Sequence, residues 1–404
     1  MPVAVLAFSG GLDTSFAVLA LKREGYSVVT ATIDSGGHSA AELEQIAARS
    51  RALGAVAHVS VDGRREIYDR FFSWLIRAGA LRGGVYPVAV GAERVVQAEG
   101  LVRVAREHDA TVVAHGCTAA GNDQVRFEVA LGVLAPDLKV LAPIRDGAVD
   151  RAASTAALRE AGVEIPERTT RYSINAGLVG TTIGGGDTHD PWAEIPEEAY
   201  EAAGAGLAAD APEREIVLGF QEGLPVSLDG EALDPLVLLG RLEDAARPLG
   251  IGRGVHLGDT ILGIKGRIAF VAPAAAVLIT AHRELEKLVL TKRQAAVKGR
   301  LGSLYADLLH EALYHDPVCR DVEALLASSQ KRVCGDVRVT LRRGRVEVTG
   351  VRSPYSLVRP GTLYGEETEL WSGADAAGFS LLYGLQARMA AERDRDSRDR
   401  EPGA

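Results

Sequence analysis

The run Ser9–Gly10–Gly11–Leu12–Asp13–Thr14–Ser15 follows directly on the apolar stretch Val3–Phe8 and leads into a helix-like segment at Thr14–Glu24. A strand that turns through two glycines into a helix leaves few folds open, because its backbone N–H groups converge at the helix N-terminus. That point carries positive potential and suits an anion. Ser9, Thr14 and Ser15 add hydroxyl donors. No lysine follows the glycines, which separates this loop from the phosphate loop of enzymes that cleave between the β- and γ-phosphates. The competing reading is a glycine turn that only caps a helix.

The first third of the chain repeats the strand-then-helix alternation. Val3–Phe8, Val28–Ile33, Ala55–Val61, Thr111–Ala114 and Lys139–Pro143 read as buried strands, with helix-like segments at Thr14–Glu24, Ala40–Leu53, Arg65–Ile76, Val88–His108 and Val125–Leu134. Such alternation predicts an α/β fold, a doubly wound parallel sheet with ligands at the carboxyl ends of its strands. From Gly162 to Gly186 the pattern breaks into a Pro-, Thr- and Gly-rich stretch, so the first domain is placed at residues 1–168 and the stretch is read as a lid or binding loop. Beyond it, strands are expected at Glu215–Phe220, Ile261–Lys265, Val337–Arg342 and Arg345–Val351. Helices are expected at Pro235–Arg247, Ala276–Thr291 and Leu301–His315, which makes residues 169–373 an α+β domain. Residues 374–404 form the third part: a helix-like run to Glu392, then a charged tail expected to be frayed or disordered.

At 404 residues and 47% hydrophobic content the chain can bury more than one core. A formal net charge of −9 excludes a broad nucleic-acid footprint, which needs clustered Lys and Arg. Three cysteines without CxxC spacing give no support for a zinc site or a disulfide framework, and reduced thiols in a cytoplasm fit best. The opening apolar run is too short for a signal peptide or a membrane span, so a cytoplasmic protein without membrane association is expected.

At the end of the fourth strand comes His115–Gly116–Cys117–Thr118–Ala119–Ala120–Gly121–Asn122–Asp123–Gln124–Val125–Arg126. Thr118, Asn122, Asp123 and Arg126 place a hydroxyl, an amide, a carboxylate and a fork-shaped cation close together, a set suited to a zwitterion. The alternative is an ordinary helix start, with Asn122 or Asp123 capping and Arg126 solvated.

Here the residues reach a known family. The loop SGGLDTS matches the PP-loop of ATP pyrophosphatases. AFSGGLDTS at 7–15, AHGCTAAGNDQVRFE at 114–128, LAPDLKVLAPIR at 134–145, YSI at 172–174, GIKGR at 263–267, AHRELE at 281–286 and RSPYSL at 352–357 resemble the argininosuccinate synthase family in order and spacing. The resemblance implies a PP-loop nucleotide-binding domain, an α+β synthetase domain and a C-terminal helix used in a homotetramer. It implies ATP and Mg²⁺, and small-molecule substrates: the ureido oxygen of citrulline attacks ATP, and aspartate then displaces AMP. By position, Ala7, Phe8, Ser9, Gly10, Gly11, Leu12, Asp13, Thr14, Ser15 and Ile33 line the ATP site, with Gly116 closing over the nucleotide. Thr118, Asn122 and Asp123 hold aspartate, while Tyr86, Arg94, Asn122, Arg126, Ser173 and Thr182 face the acceptor. Asp13, Asp123 and Arg126 are the candidate catalytic residues. Whether the protein itself ligates the metal is not legible.

Several positions depart from the family. Gly258 stands where a glutamate meets citrulline, Phe270 where a tyrosine stands, Val90 and Gly91 where hydroxyl residues stand, and Ala120 where a lysine is usual. Loss of a partner to a charged group costs about 1.5–3 kcal/mol each. Gly258 is expected to open space, and the neighbouring Asp259 is the one candidate to replace the lost carboxylate. Three readings follow: an argininosuccinate synthase with a drifted pocket, a paralogous ligase with another acceptor, or a non-catalytic nucleotide-binding protein.

Overall fold

The computed structural model describes residues 1–147, 149, 151–163, 171–359, 361, 363–365 and 368–400. Fourteen strands are assigned among them. The first five are β1 (Val3–Ala7), β2 (Ser27–Asp34), β3 (Ala57–Asp62), β4 (Val112–Ala114) and β5 (Lys139–Leu141). They pair in parallel in the order β3-β2-β1-β4-β5. Alternation along each strand serves both faces. Ala4, Leu6 and Val28 pack on Phe16, Val18 and Leu21 of helix Leu12–Arg23 and on Ile46 of helix Ala40–Ala52. Val5, Val29, Ala31 and Ile33 pack on the other face with Val95, Val96 and Leu101 of helix Ala89–Glu107. This is the doubly wound sheet expected from the sequence, and its direction of winding reverses between β1 and β4.

The remaining strands are β6 (Ser173–Gly177), β7 (Gly180–Gly184), β8 (Arg214–Gln221), β9 (Leu224–Leu228), β10 (Glu231–Ala232), β11 (Arg253–Asp259), β12 (Lys265–Val271), β13 (Gly335–Arg342) and β14 (Arg345–Arg352). They build two antiparallel sheets, β10-β9-β8-β13-β14 and β11-β12-β7-β6. Two expectations are corrected here. Of the expected strand Ile261–Lys265, all but Lys265, which opens β12, is a hairpin turn: Thr260 N–H donates to Ile264 O at 2.8 Å and the turn joins β11 to β12. Its apolar residues mimic a strand, but Leu262 and Ile264 are exposed because the turn projects from the sheet. The Gly-rich stretch is likewise no free loop, since residues 173–184 form the β6–β7 hairpin and β7 inserts beside β12. Buried Ile183 supplies the reason. The boundary near residue 168 lies outside the described residues.

The described residues cluster into two compact units, Met1–Tyr355 and Ser356–Ala404. In the second, helix Gly373–Tyr383 carries a capping box at Ser372 and Asp375 and is followed by helix Leu385–Arg400. The tail expected to fray is helical to Arg400, because Leu385–Arg400 contains neither glycine nor proline and is rich in Ala and Arg. No helix among the described residues is long and apolar enough to cross a membrane.

Helix Pro273–Val289 crosses the first unit and carries a buried polar network. Lys298 Nζ donates to Glu286 Oε2 at 2.5 Å, Gln330 Nε2 donates to Glu286 Oε1 at 2.6 Å, and His282 Nε2 lies 2.8 Å from Gln330 Oε1. Removing one charge strands the other in the core. Lys298→Met should therefore cost about 3–5 kcal/mol, and Lys298→Met with Glu286→Met less than that, as urea unfolding will show. Burial pushes His282 down to about 4 from 6.5. The unfolded chain then binds a proton that the folded chain refuses, so the stability His282 contributes is present above pH 6.5 and is lost as pH falls toward about 4. Denaturation midpoints measured across that range should fall, and fall less steeply in His282→Gln.

Candidate active site

β1 ends at Ala7, and Phe8 N–H donates to Ala31 O at 2.9 Å before the chain turns. Gly10 takes φ +70°, a conformation that L side chains resist, and the Arg49 guanidinium donates to its carbonyl. Helix Leu12–Arg23 then begins at Gly11 without a side-chain cap. A helix N-terminus without a capping side chain carries positive potential and suits an anion. Ser9 Oγ and Thr14 Oγ1 stand 3.3 Å apart across the loop, and Thr14 Oγ1 donates to Gly11 O at 3.3 Å. Leu12 and Asp13 are half-buried in the first turn, whereas Ser15 is fully buried behind the loop with its hydroxyl unpartnered. Ile33 turns its side chain into the core against Val96 and Gly100, so it offers a ligand only its backbone.

β4 runs beside β1, and its following loop meets the first one. A Cβ on Gly116 would lie 2.9 Å from Thr14 Cγ2 and 3.2 Å from Thr14 Cα, so only glycine fits. The loop is braced by Gln124 Nε2, which donates to Ala119 O at 2.7 Å, and by Arg145, which pairs with Glu128 at 2.7 Å. Burial pushes the Cys117 thiol up to about 12, which leaves it unreactive. Thr118 is half-buried on the same loop.

Helix Asp123–Leu134 starts with no side-chain cap from Asn122. Asn122 Oδ1 accepts instead from Ile261 N–H at 3.0 Å, tying the helix start to the β11–β12 turn. Asp123 lies between two guanidinium groups: Arg94 Nη2 donates to Oδ2 at 2.8 Å and Arg126 Nη1 to Oδ1 at 2.7 Å. Burial opposes ionisation of Asp123, but Arg94 and Arg126 outweigh it and hold the carboxyl well below the usual range. Arg126 is itself buried and donates from Nε to His310 O at 2.9 Å. The capping reading with a solvated Arg126 is thereby excluded.

Among the residues that the resemblance assigns to the acceptor, Tyr86 is stacked on His256 with centroids 5.8 Å apart and tilts against Phe270 at 5.3 Å. Thr182 is paired with Asn175 on one side and Phe270 on the other, and Asn175 Oδ1 accepts from Arg94 at 3.4 Å. Tyr86, Arg94, Asn122, Asp123, Arg126 and Thr182 thus converge. Ser173 is exposed at the start of β6, two residues before Asn175 and paired with Gly184. Gly258 opens no space: a Cβ there would lie 2.6 Å from His256 Nε2, because the imidazole folds over the glycine. Nor does Asp259 take up the lost carboxylate's place, since it pairs with Lys265 at 2.5 Å and is exposed. Sequence reasoning missed Arg82, Glu93, His256 and His310. Neighbouring motifs carry no signal for them, as each reaches the site from a separate element.

Two family descriptions match the chain, "Arginosuccinate synthase N-terminal HUP domain" over residues 3–164 and "Arginosuccinate synthase C-terminal domain" over residues 172–390. Argininosuccinate synthase of Xanthomonas campestris pv. campestris is 40% identical over 396 residues, 97% of this chain and 98% of that protein. The Methanocaldococcus jannaschii protein of the same name is 37% identical over 388 residues, 96% of this chain and 97% of that protein. Crocosphaera subtropica argininosuccinate synthase is 38% identical over 395 residues, 96% of this chain and 98% of that protein. With a phosphate-type loop at the end of β1 and a clustered Asp–Arg site at the end of β4, the chain belongs to the argininosuccinate synthase family and is an ATP-using ligase.

Proposed function

We propose that the enzyme adenylates the ureido oxygen of citrulline or a close analogue and then couples aspartate to it. In the first step the ureido oxygen attacks the α-phosphorus, the bond to the β-phosphate bridging oxygen breaks, and pyrophosphate leaves. In the second, the deprotonated aspartate amine bonds to the ureido carbon, the carbon–oxygen bond to AMP breaks, and the nitrogen loses its remaining extra proton. The observation that carries this reading is the packing of Gly116 on Thr14, which sets the β4 loop beside the phosphate loop. A nucleotide on one and an amino acid on the other then share one reaction volume.

Ala7 to Ser15, with the Ile33 backbone and Gly116, form the nucleotide side. Thr118, Asn122 and Asp123 receive aspartate; each Asp123 oxygen accepts one guanidinium bond and keeps capacity for an ammonium. Arg126 and Arg94 stabilise charge near the acceptor, with Tyr86, Ser173 and Thr182 completing that side. Among the described residues no three His, Cys, Asp or Glu cluster as a metal cage. Mg²⁺ fits as the ion of the nucleotide, with Asp13 the carboxylate at the loop to orient it or its waters, and it would offset phosphate charge. The reading extends to domains at 1–168, 169–373 and 374–404, a cytoplasmic setting and a homotetramer. Exposed Trp371, Phe379, Leu382 and Tyr383 support the last, as apolar surface for other copies.

Nucleotide analysis should find AMP and pyrophosphate; ADP and phosphate as main products contradict the reading. Asp13→Ala should stay folded and release pyrophosphate at least tenfold more slowly. Asp123→Ala should weaken aspartate binding at least tenfold by calorimetry while ATP binding stays nearly intact.

A further inference from the structure

The last turn of helix Lys292–His310 ends against the candidate site and grips two arginines. Arg126 Nε donates to the main-chain oxygen of His310 at 2.9 Å, and Arg126 Nη2 donates to its ring Nδ1 at 3.2 Å. Three residues earlier, Asp307 Oδ1 accepts from Arg82 Nε at 3.2 Å, and Arg82 Nη1 donates to His256 Nε2 at 3.4 Å. The last carbonyls of a helix have no intrahelical partner and carry its negative end, so a guanidinium is a favourable cap there. His310 and Arg126 are both buried.

A guanidinium cannot accept a hydrogen bond, so Nδ1 of His310 is the acceptor and the ring proton sits on Nε2. Burial, with Arg126 and Arg82 close by, pushes the imidazole down to about 3, which keeps Nδ1 unprotonated. Asp123 takes only Nη1 of Arg126, at 2.7 Å, and a single bond leaves the guanidinium plane free to swing about it. The two bonds to His310 come from the other two nitrogens, and three held nitrogens fix the plane. Among the described residues these bonds leave one N–H on each terminal nitrogen of Arg126. Gly91 sets the approach of the helix end: a Cβ there would lie 2.5 Å from Leu309 O and 2.9 Å from His310 Cα, so only a glycine admits it.

We propose that His310 is a positioning residue, whose ring Nδ1 and main-chain oxygen hold the Arg126 guanidinium in the plane in which it meets the ureido acceptor. The inference rests on the proposed acceptor role of Arg126 and adds no bond to the reaction given above. Gly91 and His310 act as one unit: the glycine, standing where the family has a hydroxyl residue, lets the helix end in, and the histidine uses that end to hold the arginine.

Steady-state pyrophosphate release by the full chain at saturating aspartate, with citrulline and ATP varied in turn, tests this. His310→Leu keeps the bulk and removes the ring acceptor. It should raise KM for citrulline about tenfold or more, the range for a lost hydrogen bond to a charged group, and leave KM for ATP within about threefold of wild type. His310→Asn, whose Oδ1 can take the place of Nδ1, should bring KM for citrulline back to within about threefold. A residue that only fills the core would lower the melting temperature in both variants and move KM for citrulline in neither. Should His310→Leu fail to fold, Gly91→Ala, which pushes the same helix end away, is read in its place and should raise KM for citrulline at least threefold. An unchanged KM for citrulline in the variant read, or an equal rise in His310→Leu and His310→Asn, overturns the proposal and leaves the ligase reading standing. No citrulline-dependent pyrophosphate release from the wild-type enzyme overturns both, because the ureido acceptor is then itself wrong.

Discussion

Asp123 between Arg94 and Arg126 is the interaction on which the site depends. Burial opposes ionisation of the carboxylate, and either guanidinium alone would lack its counter-ion; together they satisfy each other. The cluster also joins distant parts of the chain. Arg94 comes from helix Ala89–Glu107 and reaches Asn175 on β6, while Arg126 comes from helix Asp123–Leu134 and reaches His310 at the end of helix Lys292–His310. The parallel sheet and the later α+β elements are thereby held in one geometry by hydrogen bonds that are directional and desolvated.

Around that centre the loops divide the chemical work by strand order. Because the sheet reverses between β1 and β4, the two loops at their carboxyl ends face one crevice. In the proposed reaction one offers N–H groups to phosphate and the other offers side chains to an amino acid. Neither needs a protein nucleophile, since placement and charge stabilisation carry reactions of this kind. At Gly258, where the chain departs from the family pattern, the difference is a filled volume, not a hole, because His256 occupies it. Tyr86 stacks on His256 and tilts against Phe270 beside it.

The sheet domain was legible because its signals are local. Apolar runs of strand length, glycine turns and amphipathic helices recur in register, and each of the five strands lies where the pattern placed it, within a few residues. The second half was harder. β11, reading Arg-Gly-Val-His-Leu-Gly-Asp, has too few apolar residues to announce a strand, while the apolar turn after it does resemble one. β6 and β7 hid among glycines because their strand character comes from neighbours that the local sequence does not show.

The sequence by itself determined the doubly wound sheet and the glycine turn after β1, and it singled out Asp123 and Arg126, since motif spacing along one strand–loop–helix unit is a local property; Tyr86 came only from the family resemblance. Only the tertiary structure decided what those residues touch. It turned Asp123 from a possible helix cap into the centre of two ion pairs, and Gly258 from an apparent gap into the seat of His256. Arg82, His256 and His310 lie far apart in the chain and meet only because the β11–β12 hairpin and helix Lys292–His310 pack against the same crevice. Contacts of that range depend on packing in three dimensions, which no periodicity in a single chain encodes.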